Sequence, residues 1–291
     1  MNNLLSLGYK KIDQDIENTT FQLIDKMDLT HRIKFIKESN LEDLEKLIKK
    51  LGSNTEISSE QPKMDLTRIK FIKESNLEDL KNHTYLEKLI IKLGFNTEIL
   101  REQPKIVKDN GGGLLIWQYP NQFSKYLCLL SEQKIQSYIE IGCRWGGTFV
   151  LTNEYLKIFN TVNKSVAVDI IDSPVLNYCT LNNKTQFMKI NSRSQEFKNY
   201  MNNNYFDLIF IDGDHSYNGV KNDYEISKNS GKIFVFHDIV NSVCPGVVNF
   251  WNELKNNEKD TYNFFEFIEQ YEDVWNNTHQ KFLGIGVAIK K

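Results

Sequence analysis

The sequence predicts an α/β protein with a doubly wound, mostly parallel sheet that follows a helical N-terminal region. From residue 137 onward, short apolar runs alternate with longer helical segments, which is typical of parallel strands joined by crossover helices. The run at 205–211, Tyr-Phe-Asp-Leu-Ile-Phe-Ile, is almost continuously apolar, as expected of a strand buried on both faces. Few residues separate the last two strands, so we expect the last strand to be antiparallel to its neighbour.

The predicted elements follow one another along the C-terminal half of the chain. Strands are predicted at residues 137–141, 165–169, 185–190, 207–211, 232–236, 264–271 and 282–289. Helices are predicted at residues 147–159, 194–201, 220–229 and 245–256. Pro245 falls in the first turn of the last of these helices, where proline is favoured.

The N-terminal region, residues 1–105, contains an internal duplication whose copies span residues 27–63 and 64–105. Both copies begin Met-Asp-Leu-Thr and end Glu-Gln-Pro-Lys, with apolar residues at helical spacing between these ends. Gly52 and Gly94 are predicted to end a helix in each copy. Because solenoids need about three repeats or more, two interpretations stay open: a partner-binding helical arm, or a helical cap on residues 106–291 with one extra copy.

Composition and charge exclude several classes of function. The formal net charge is -2, which gives no electrostatic basis for nucleic-acid binding. No segment approaches the roughly 20 apolar residues of a membrane span, and the N-terminus does not resemble a signal peptide, so we expect a cytoplasmic protein. The four cysteines are scattered without a Cys-x-x-Cys pair, which predicts reduced thiols rather than a zinc site.

Residues that can carry chemistry follow the first three strands of the predicted sheet. Gly142 permits a tight turn, and Gly146 and Gly147 would let a ligand approach the backbone at a helix N-terminus. Because this turn is not a G-x-G-x-x-G dinucleotide motif, a glycine turn without a ligand is the alternative. Asp169 ends the second strand and can either accept hydrogen bonds from ribose hydroxyls or cap a helix.

Polar residues also follow the third strand, where Asn191 and Ser192 can bind an adenine edge or form a turn. Asp212 ends the fourth strand, and His237 and Asp238 end the fifth. Neighbouring strands lie about 4.8 Å apart, so these three side chains can converge on one cation, or His237 can accept a proton.

His215 is a second candidate for the base. Asp214 lies one residue before it and can either orient the imidazole or cap the following helix.

The order of these motifs resembles the class I S-adenosylmethionine-dependent methyltransferases. The stretches 206–220 and 231–238 are similar to the subgroup called methyltransferase family 24, and the resemblance covers about residues 106–291. It implies a Rossmann-like fold with a seven-stranded sheet and an antiparallel last strand. It also implies S-adenosyl-L-methionine as the cofactor. We expect His215, His237 and Asp212 to be the catalytic residues. The expected cofactor-binding residues are Glu140, Gly142, Gly146, Asp169, Asn191, Ser192 and Asp212.

Caffeoyl-CoA and catechol O-methyltransferases hold Mg²⁺ on an Asp after the fourth strand and an Asp-Asn pair after the fifth. Asp212 matches the first position, and His237-Asp238 stands in place of the pair. The resemblance therefore implies Mg²⁺ or Mn²⁺ on Asp212, His237 and Asp238. The histidine is a departure that favours a softer ion or no ion.

The expected activity is transfer of a methyl group to a hydroxyl of a small molecule or glycan, with or without a metal. The oligomeric state is open, with a homodimer as one form. Two alternatives stay open: a glycosyltransferase that uses Asp212-Gly-Asp214 as a metal-binding D-x-D motif, and a non-catalytic cofactor-binding module. We expect the acceptor pocket to be built from loops and a lid over residues 242–262.

Overall fold

The computed structural model describes residues 62–96, 98 and 103–291. The described residues belong to one compact unit, residues 61–291. Most of the first copy of the duplication, with Gly52, lies outside the described residues. In the described ranges, no helix is long and apolar enough to cross a membrane.

Seven strands of the described region form one sheet. They are β1 (Ser137–Ile141), β2 (Lys164–Asp169), β3 (Thr185–Lys189), β4 (Phe206–Ile211), β5 (Gly231–His237), β6 (Tyr262–Phe267) and β7 (Ile285–Lys290). Their order is β3-β2-β1-β4-β5-β7-β6, and β7 is antiparallel to both of its neighbours. This confirms the predicted doubly wound, mostly parallel, seven-stranded Rossmann-like sheet with an antiparallel last strand.

Helices cover the sheet and connect its strands. They are α1 (Lys70–Lys73), α2 (His83–Leu93), α3 (Lys105–Lys108), α4 (Pro120–Ser131), α5 (Gly147–Phe159), α6 (Val175–Thr180), α7 (Gln195–Asn202), α8 (Tyr217–Ser227), α9 (Pro245–Asn257) and α10 (Glu272–Thr278). The sequence did not predict α6 and α10, because helices of six and seven residues are too short to show a clear helical period. α10 lies between β6 and β7, so their connection is longer than expected.

The order of the strands fixes where a ligand can bind. The chain runs outward from β1 through β2 to β3 and then returns to place β4 on the other side of β1. The carboxyl ends of β1 and β4 therefore form a topological switch point, where open α/β sheets bind their ligands. Glu140 pairs with Phe210 in the register of these two strands, and Phe236 lies beside the end of β4.

The second copy of the duplication packs on the helical layer of the sheet. α2 ends at Gly94, whose φ of 94° is the left-handed conformation that glycine favours, as the sequence predicted. Leu80 and Leu86 are fully buried in the same apolar cluster as Leu127 of α4. The Tyr155 hydroxyl donates a hydrogen bond of 2.7 Å to the Leu80 carbonyl. The second copy is thus a cap on this layer, and the predicted domain boundary at residue 105 stays a prediction.

Deleting residues 27–63 is expected to leave a chain that still unfolds cooperatively, because the second copy supplies these contacts by itself. The midpoint of thermal unfolding should move by less than about 4 °C, which corresponds to about 1 kcal/mol. A matched deletion of residues 64–96 removes buried apolar side chains and should abolish cooperative unfolding. If the first deletion also unfolds without cooperativity, both copies belong to the core.

Candidate functional site

The turn after β1 is tied to both neighbouring strands. The backbone N–H groups of Gly142 and Cys143 donate hydrogen bonds of 2.8 and 3.0 Å to the Val168 carbonyl of β2. Gly142 has a φ of +88°, and a Cβ on it would lie 2.1 Å from the carbonyl oxygen of Asp212. Gly142 therefore lets the carboxyl ends of β1 and β4 touch.

The other glycines of this turn serve chain packing. A Cβ on Gly146 would lie 2.4 Å from the Cβ of Val175, and one on Gly147 would lie 2.4 Å from the Leu114 carbonyl oxygen. Protein atoms fill both directions, whereas the sequence suggested that glycine stands here to admit a ligand. A contact between Gly146 and the cofactor stays a prediction.

Asp169 connects the end of β2 to the glycine turn. Its Oδ2 accepts a hydrogen bond of 2.6 Å from the Arg144 N–H, and its Oδ1 accepts from the N–H groups of Ile170 and Ile171. The N-cap of the next helix is Pro174, so the helix-cap alternative for Asp169 is wrong. A carboxylate has about four acceptor positions, which leaves Asp169 room for one more donor.

The residues after β3 take part in local structure. Asn191 Oδ1 accepts a hydrogen bond of 2.8 Å from the Arg193 N–H, which is the turn alternative predicted for it. Burial raises the pKa of Asp223, and the side chain of Ser192 offsets part of this effect. Binding of adenine by Asn191 or Ser192 stays a prediction.

The structure brings Asp212, His237 and Asp238 together at the carboxyl ends of β4 and β5. His237 Nδ1 lies 3.2 Å from Asp212 Oδ1 and 3.3 Å from Asp238 Oδ2. His215 joins this cluster from the β4–α8 loop, with its Nε2 3.1 Å from Asp212 Oδ1 and 3.5 Å from Asp238 Oδ2. We call these four residues the strand-end cluster. Their roles in catalysis or metal binding stay predictions.

The two histidines of the strand-end cluster differ in exposure. The side chain of His215 is 44% exposed, whereas that of His237 is 3% exposed. Neither ring nitrogen of His237 has a hydrogen-bond partner within the described residues. A ligand can therefore reach His215, while His237 is enclosed by its neighbours.

Charges within the cluster set its protonation. Burial lowers the pKa of both histidines, but the carboxylates of Asp212 and Asp238 outweigh it and raise both pKa values above the ordinary range. Burial raises the pKa of Asp212 and Asp238, but the charge of His237 outweighs it and lowers both pKa values. The four groups thus form ion pairs in the absence of another cation.

Asp214 lies outside the strand-end cluster. Its Oδ1 accepts a hydrogen bond of 2.8 Å from the Ser216 N–H, and its Oδ2 forms an ion pair with Arg193. Asp212, not Asp214, therefore orients His215. The two aspartates of the D-x-D pattern do not converge, which removes the observation behind the glycosyltransferase alternative.

Glu140 lies on β1 and is 2% exposed. It accepts a hydrogen bond from the Tyr138 hydroxyl. Burial raises the pKa of Glu140 strongly, the Tyr138 hydroxyl opposes this effect, and the nearby charge of Asp212 adds to it. The carboxyl group of Glu140 is therefore buried near the charge of Asp212, and its contact with the cofactor stays a prediction.

Sequence reasoning missed Cys244. Its Sγ lies 3.6 Å from both His215 Nδ1 and Asp238 Oδ2. Cys244 precedes α9 and belongs to no motif, so its sequence position carries no signal of this contact. Residues 245–257 of the expected lid form α9, as predicted for this helix, and α9 buries Phe250 and Trp251 against the sheet. A role of residues 242–262 in the acceptor pocket stays a prediction.

Comparisons with known proteins agree with the sequence resemblance. Residues 139–239 match the family model of a methyltransferase domain, Methyltransf_24. This segment runs from β1 past the end of β5, so it contains the glycine turn, Asp169 and the strand-end cluster. The chain matches no curated protein.

Several solved O-methyltransferases are similar to the chain at low identity. The O-methyltransferase from Bacillus cereus in complex with SAH is 11% identical, with 77% of this chain and 96% of that chain covered and a TM-score of 0.43. The O-methyltransferase TomG from Streptomyces achromogenes, in complex with SAM, is 10% identical, with 78% and 96% covered and a TM-score of 0.44. MycE from the mycinamycin biosynthetic pathway, in complex with Mg and SAH, is 14% identical, with 61% and 50% covered and a TM-score of 0.41.

The family match and the sheet order bear on the same stretch of chain. The match includes both strand ends that form the switch point and all four residues of the strand-end cluster. Residues 139–239 therefore match a methyltransferase domain, which confirms the resemblance of this segment to methyltransferase family 24.

Proposed function

We propose that the chain is an S-adenosylmethionine-dependent methyltransferase that acts on a hydroxyl group of a small molecule or glycan. The observation that carries this proposal is the strand-end cluster, which lies beside the glycine turn inside the matched methyltransferase domain. A hydroxyl acceptor is favoured because a half-exposed imidazole, oriented by a carboxylate, suits removal of a proton from oxygen.

The charge at the carboxyl edge of the sheet fits this cofactor. S-adenosylmethionine carries a sulfonium cation and no phosphate. Glu140, Asp169, Asp212 and Asp238 place carboxyl groups around the switch point. Asp212 and Asp238 are paired with the two histidines, and burial favours the neutral form of Glu140. Asp169 is therefore the acid of this edge that can attract a cation and repel the pyrophosphate of a sugar nucleotide.

Five of the predicted cofactor residues have a defined part in this proposal. Asp169 would accept a hydrogen bond from a ribose hydroxyl with its free acceptor position, while Asn191 and Ser192 would lie along the adenine ring. The turn at Gly142 and Gly146 would contact the methionine part of the cofactor. The bound cofactor supplies an activated methyl group, and the residues of the chain position it and remove the acceptor proton.

His215 is the base in this proposal. Its exposure lets an acceptor hydroxyl approach, and the 3.1 Å contact with Asp212 fixes the orientation of its ring. His237 is too enclosed to contact an acceptor directly. This favours His215 over His237, although the sequence offered both as catalytic.

The strand-end cluster does not fit the Mg²⁺ ion that the resemblance implies. Mg²⁺ prefers carboxylate, carbonyl and water oxygens in an octahedral arrangement. His237 offers an imidazole nitrogen where the related enzymes offer oxygen. No part of the proposed proton transfer therefore depends on Mg²⁺.

Calorimetric titration tests the cofactor and separates the alternatives. S-adenosylmethionine should bind the purified chain, and a UDP-sugar should not bind with or without Mn²⁺. The opposite result would favour the glycosyltransferase. Binding of S-adenosylmethionine by a chain that transfers no methyl group to any of a panel of hydroxyl acceptors would favour the non-catalytic module.

Asp169→Ala is expected to weaken S-adenosylmethionine binding by about 2 kcal/mol, because the variant loses a charged hydrogen-bond acceptor. Calorimetry measures the dissociation constant, and thermal unfolding shows whether the glycine turn survives the loss of the Arg144 contact. Asp172→Ala is the matched control, since it removes a nearby exposed acid that pairs with Lys189. An unchanged dissociation constant in a folded Asp169→Ala chain would remove Asp169 from the cofactor site.

A further inference from the structure

We propose that Asp212, His237 and Asp238 bind a divalent ion of the Zn²⁺ class in preference to Mg²⁺, with His237 as the nitrogen ligand. These three residues form one of two metal-compatible groups in the described part of the chain. The ion site rests on the proposed function, because it shares Asp212 with the base that serves methyl transfer.

The state of His237 is the first observation. Its side chain is 3% exposed, and neither ring nitrogen has a hydrogen-bond partner within the described residues. Its Nδ1 lies 3.2 and 3.3 Å from two carboxylate oxygens, yet neither contact has the geometry of a hydrogen bond. Ligands of one metal ion have this arrangement, with a ring nitrogen close to two carboxylate oxygens.

The distances between the donor atoms are the second observation. Bonds from Zn²⁺ to nitrogen or oxygen are about 2.0–2.2 Å, so neighbouring ligands of a tetrahedral ion lie about 3.3–3.6 Å apart. The Nδ1 of His237 is 3.2 Å from Asp212 Oδ1 and 3.3 Å from Asp238 Oδ2. Small side-chain adjustments would therefore place all three atoms on one ion and leave a fourth position open.

The chemistry of the neighbouring donors points to the same class of ion. The second metal-compatible group consists of His215, Asp238 and Cys244, and it shares Asp238 with the first. The Cys244 Sγ lies 3.6 Å from the shared Asp238 Oδ2. Nitrogen and sulfur donors favour Zn²⁺ and Co²⁺, whereas an all-oxygen set would favour Mg²⁺.

The backbone at Asp238 shows that this carboxylate is held in place. Asp238 has a φ of +63°, in the left-handed region that non-glycine residues avoid at a cost of about 1–3 kcal/mol. Asn241 Nδ2 donates a hydrogen bond of 2.7 Å to Asp238 Oδ1, which leaves Oδ2 turned toward His237. Partners of this kind orient metal ligands in proteins.

The spacing of the cysteines did not predict this zinc site, because its ligands come from the ends of two strands and not from a local motif. β4 delivers Asp212 and β5 delivers His237 and Asp238, and the parallel pairing of the two strands brings them together. Asp212 and His237 lie far apart in the sequence and become neighbours because β4 and β5 pair in the folded sheet.

Metal titration of the full chain tests the proposal. The chain is stripped with EDTA, dialysed, and titrated by calorimetry with Zn²⁺ and with Mg²⁺, without cofactor. Zn²⁺ is expected to bind about a hundredfold more tightly than Mg²⁺. His237→Ala should weaken Zn²⁺ binding about a hundredfold, while His279→Ala, outside the site, should leave it unchanged. His237→Asp replaces the nitrogen ligand with a carboxylate oxygen. The ratio of the Mg²⁺ dissociation constant to the Zn²⁺ dissociation constant should therefore fall about tenfold.

The absorption of the Co²⁺-loaded wild-type chain keeps the test independent of whether any variant folds. An intense visible band of a tetrahedral ion is expected, and the weak band of an octahedral all-oxygen site would overturn the proposal. Equal affinities for Zn²⁺ and Mg²⁺, or full Zn²⁺ affinity in a folded His237→Ala chain, would also overturn it. A chain that binds S-adenosylmethionine but not Zn²⁺ refutes the ion site alone, whereas one that binds Zn²⁺ but not S-adenosylmethionine refutes the proposed function.

Discussion

Replacing His215 with glutamine is expected to lower methyl-transfer turnover by about a hundredfold or more, the usual contribution of a general base. The affinity for S-adenosylmethionine should stay nearly constant, because the proposal assigns His215 to the acceptor and not to the cofactor. Glutamine retains a polar group that can contact Asp212 but cannot accept the acceptor proton. Turnover at saturating cofactor and the dissociation constant of the cofactor are the two measurements.

The pH profile of the wild-type chain should carry the signature of His215. A base acts in its deprotonated form, so turnover should rise with pH as His215 loses its proton. Burial lowers the pKa of His215, but Asp212 and Asp238 outweigh burial in the metal-free chain and raise it. With EDTA present, this rise should therefore lie above the ordinary histidine range near pH 6.5. His215→Gln should remove the rise, which a purely structural role would not do.

His279→Gln is the matched control for this experiment. His279 follows α10 and contacts Trp275, outside the strand-end cluster, so its replacement should alter neither turnover nor the pH profile. If His215→Gln lowers turnover less than about fivefold, or leaves the pH profile unchanged, His215 is not the base.

Much of the fold and the position of the site could be predicted from residues 137–291. Apolar runs that alternate with helical segments determine a parallel sheet, and parallel strands place their carboxyl ends on one edge. Asp212 and His237-Asp238 end two such runs, so their convergence follows from the pairing of β4 with β5. Strand ends are a strong signal because the apolar pattern stops abruptly there.

Other features depend on contacts that no local pattern encodes. Asp212 and Asp214 both flank Gly213, and only the turn into α8 sends Asp214 toward Arg193 and leaves Asp212 on His215. Cys244 reaches the same cluster from the connection before α9. Such contacts depend on how loops pack in three dimensions. Sequence analysis therefore left the partner of His215 open and did not predict the contact of Cys244.

Gly142→Ala is expected to destabilise the fold by about 3 kcal/mol or more, because two costs add at this position. Alanine is strained at a φ of +88°, at a cost of about 1–2 kcal/mol. Its Cβ would also lie 2.1 Å from the Asp212 carbonyl oxygen, which belongs to backbone and cannot rotate away. The ends of β1 and β4 would have to separate, with further loss of stability.

Gly112→Ala carries the first of these two costs, the backbone strain, without the second. Gly112 has nearly the same φ, +87°, but a Cβ on it would meet no atom within 4 Å. Its replacement should therefore destabilise by about 1–2 kcal/mol, the conformational cost alone. Chemical denaturation of both variants measures the difference, and equal losses would show that β1 and β4 do not meet as closely as this geometry requires. Because the contact also positions Asp212, Gly142→Ala should lower turnover even where the chain remains folded, while Gly112→Ala should not.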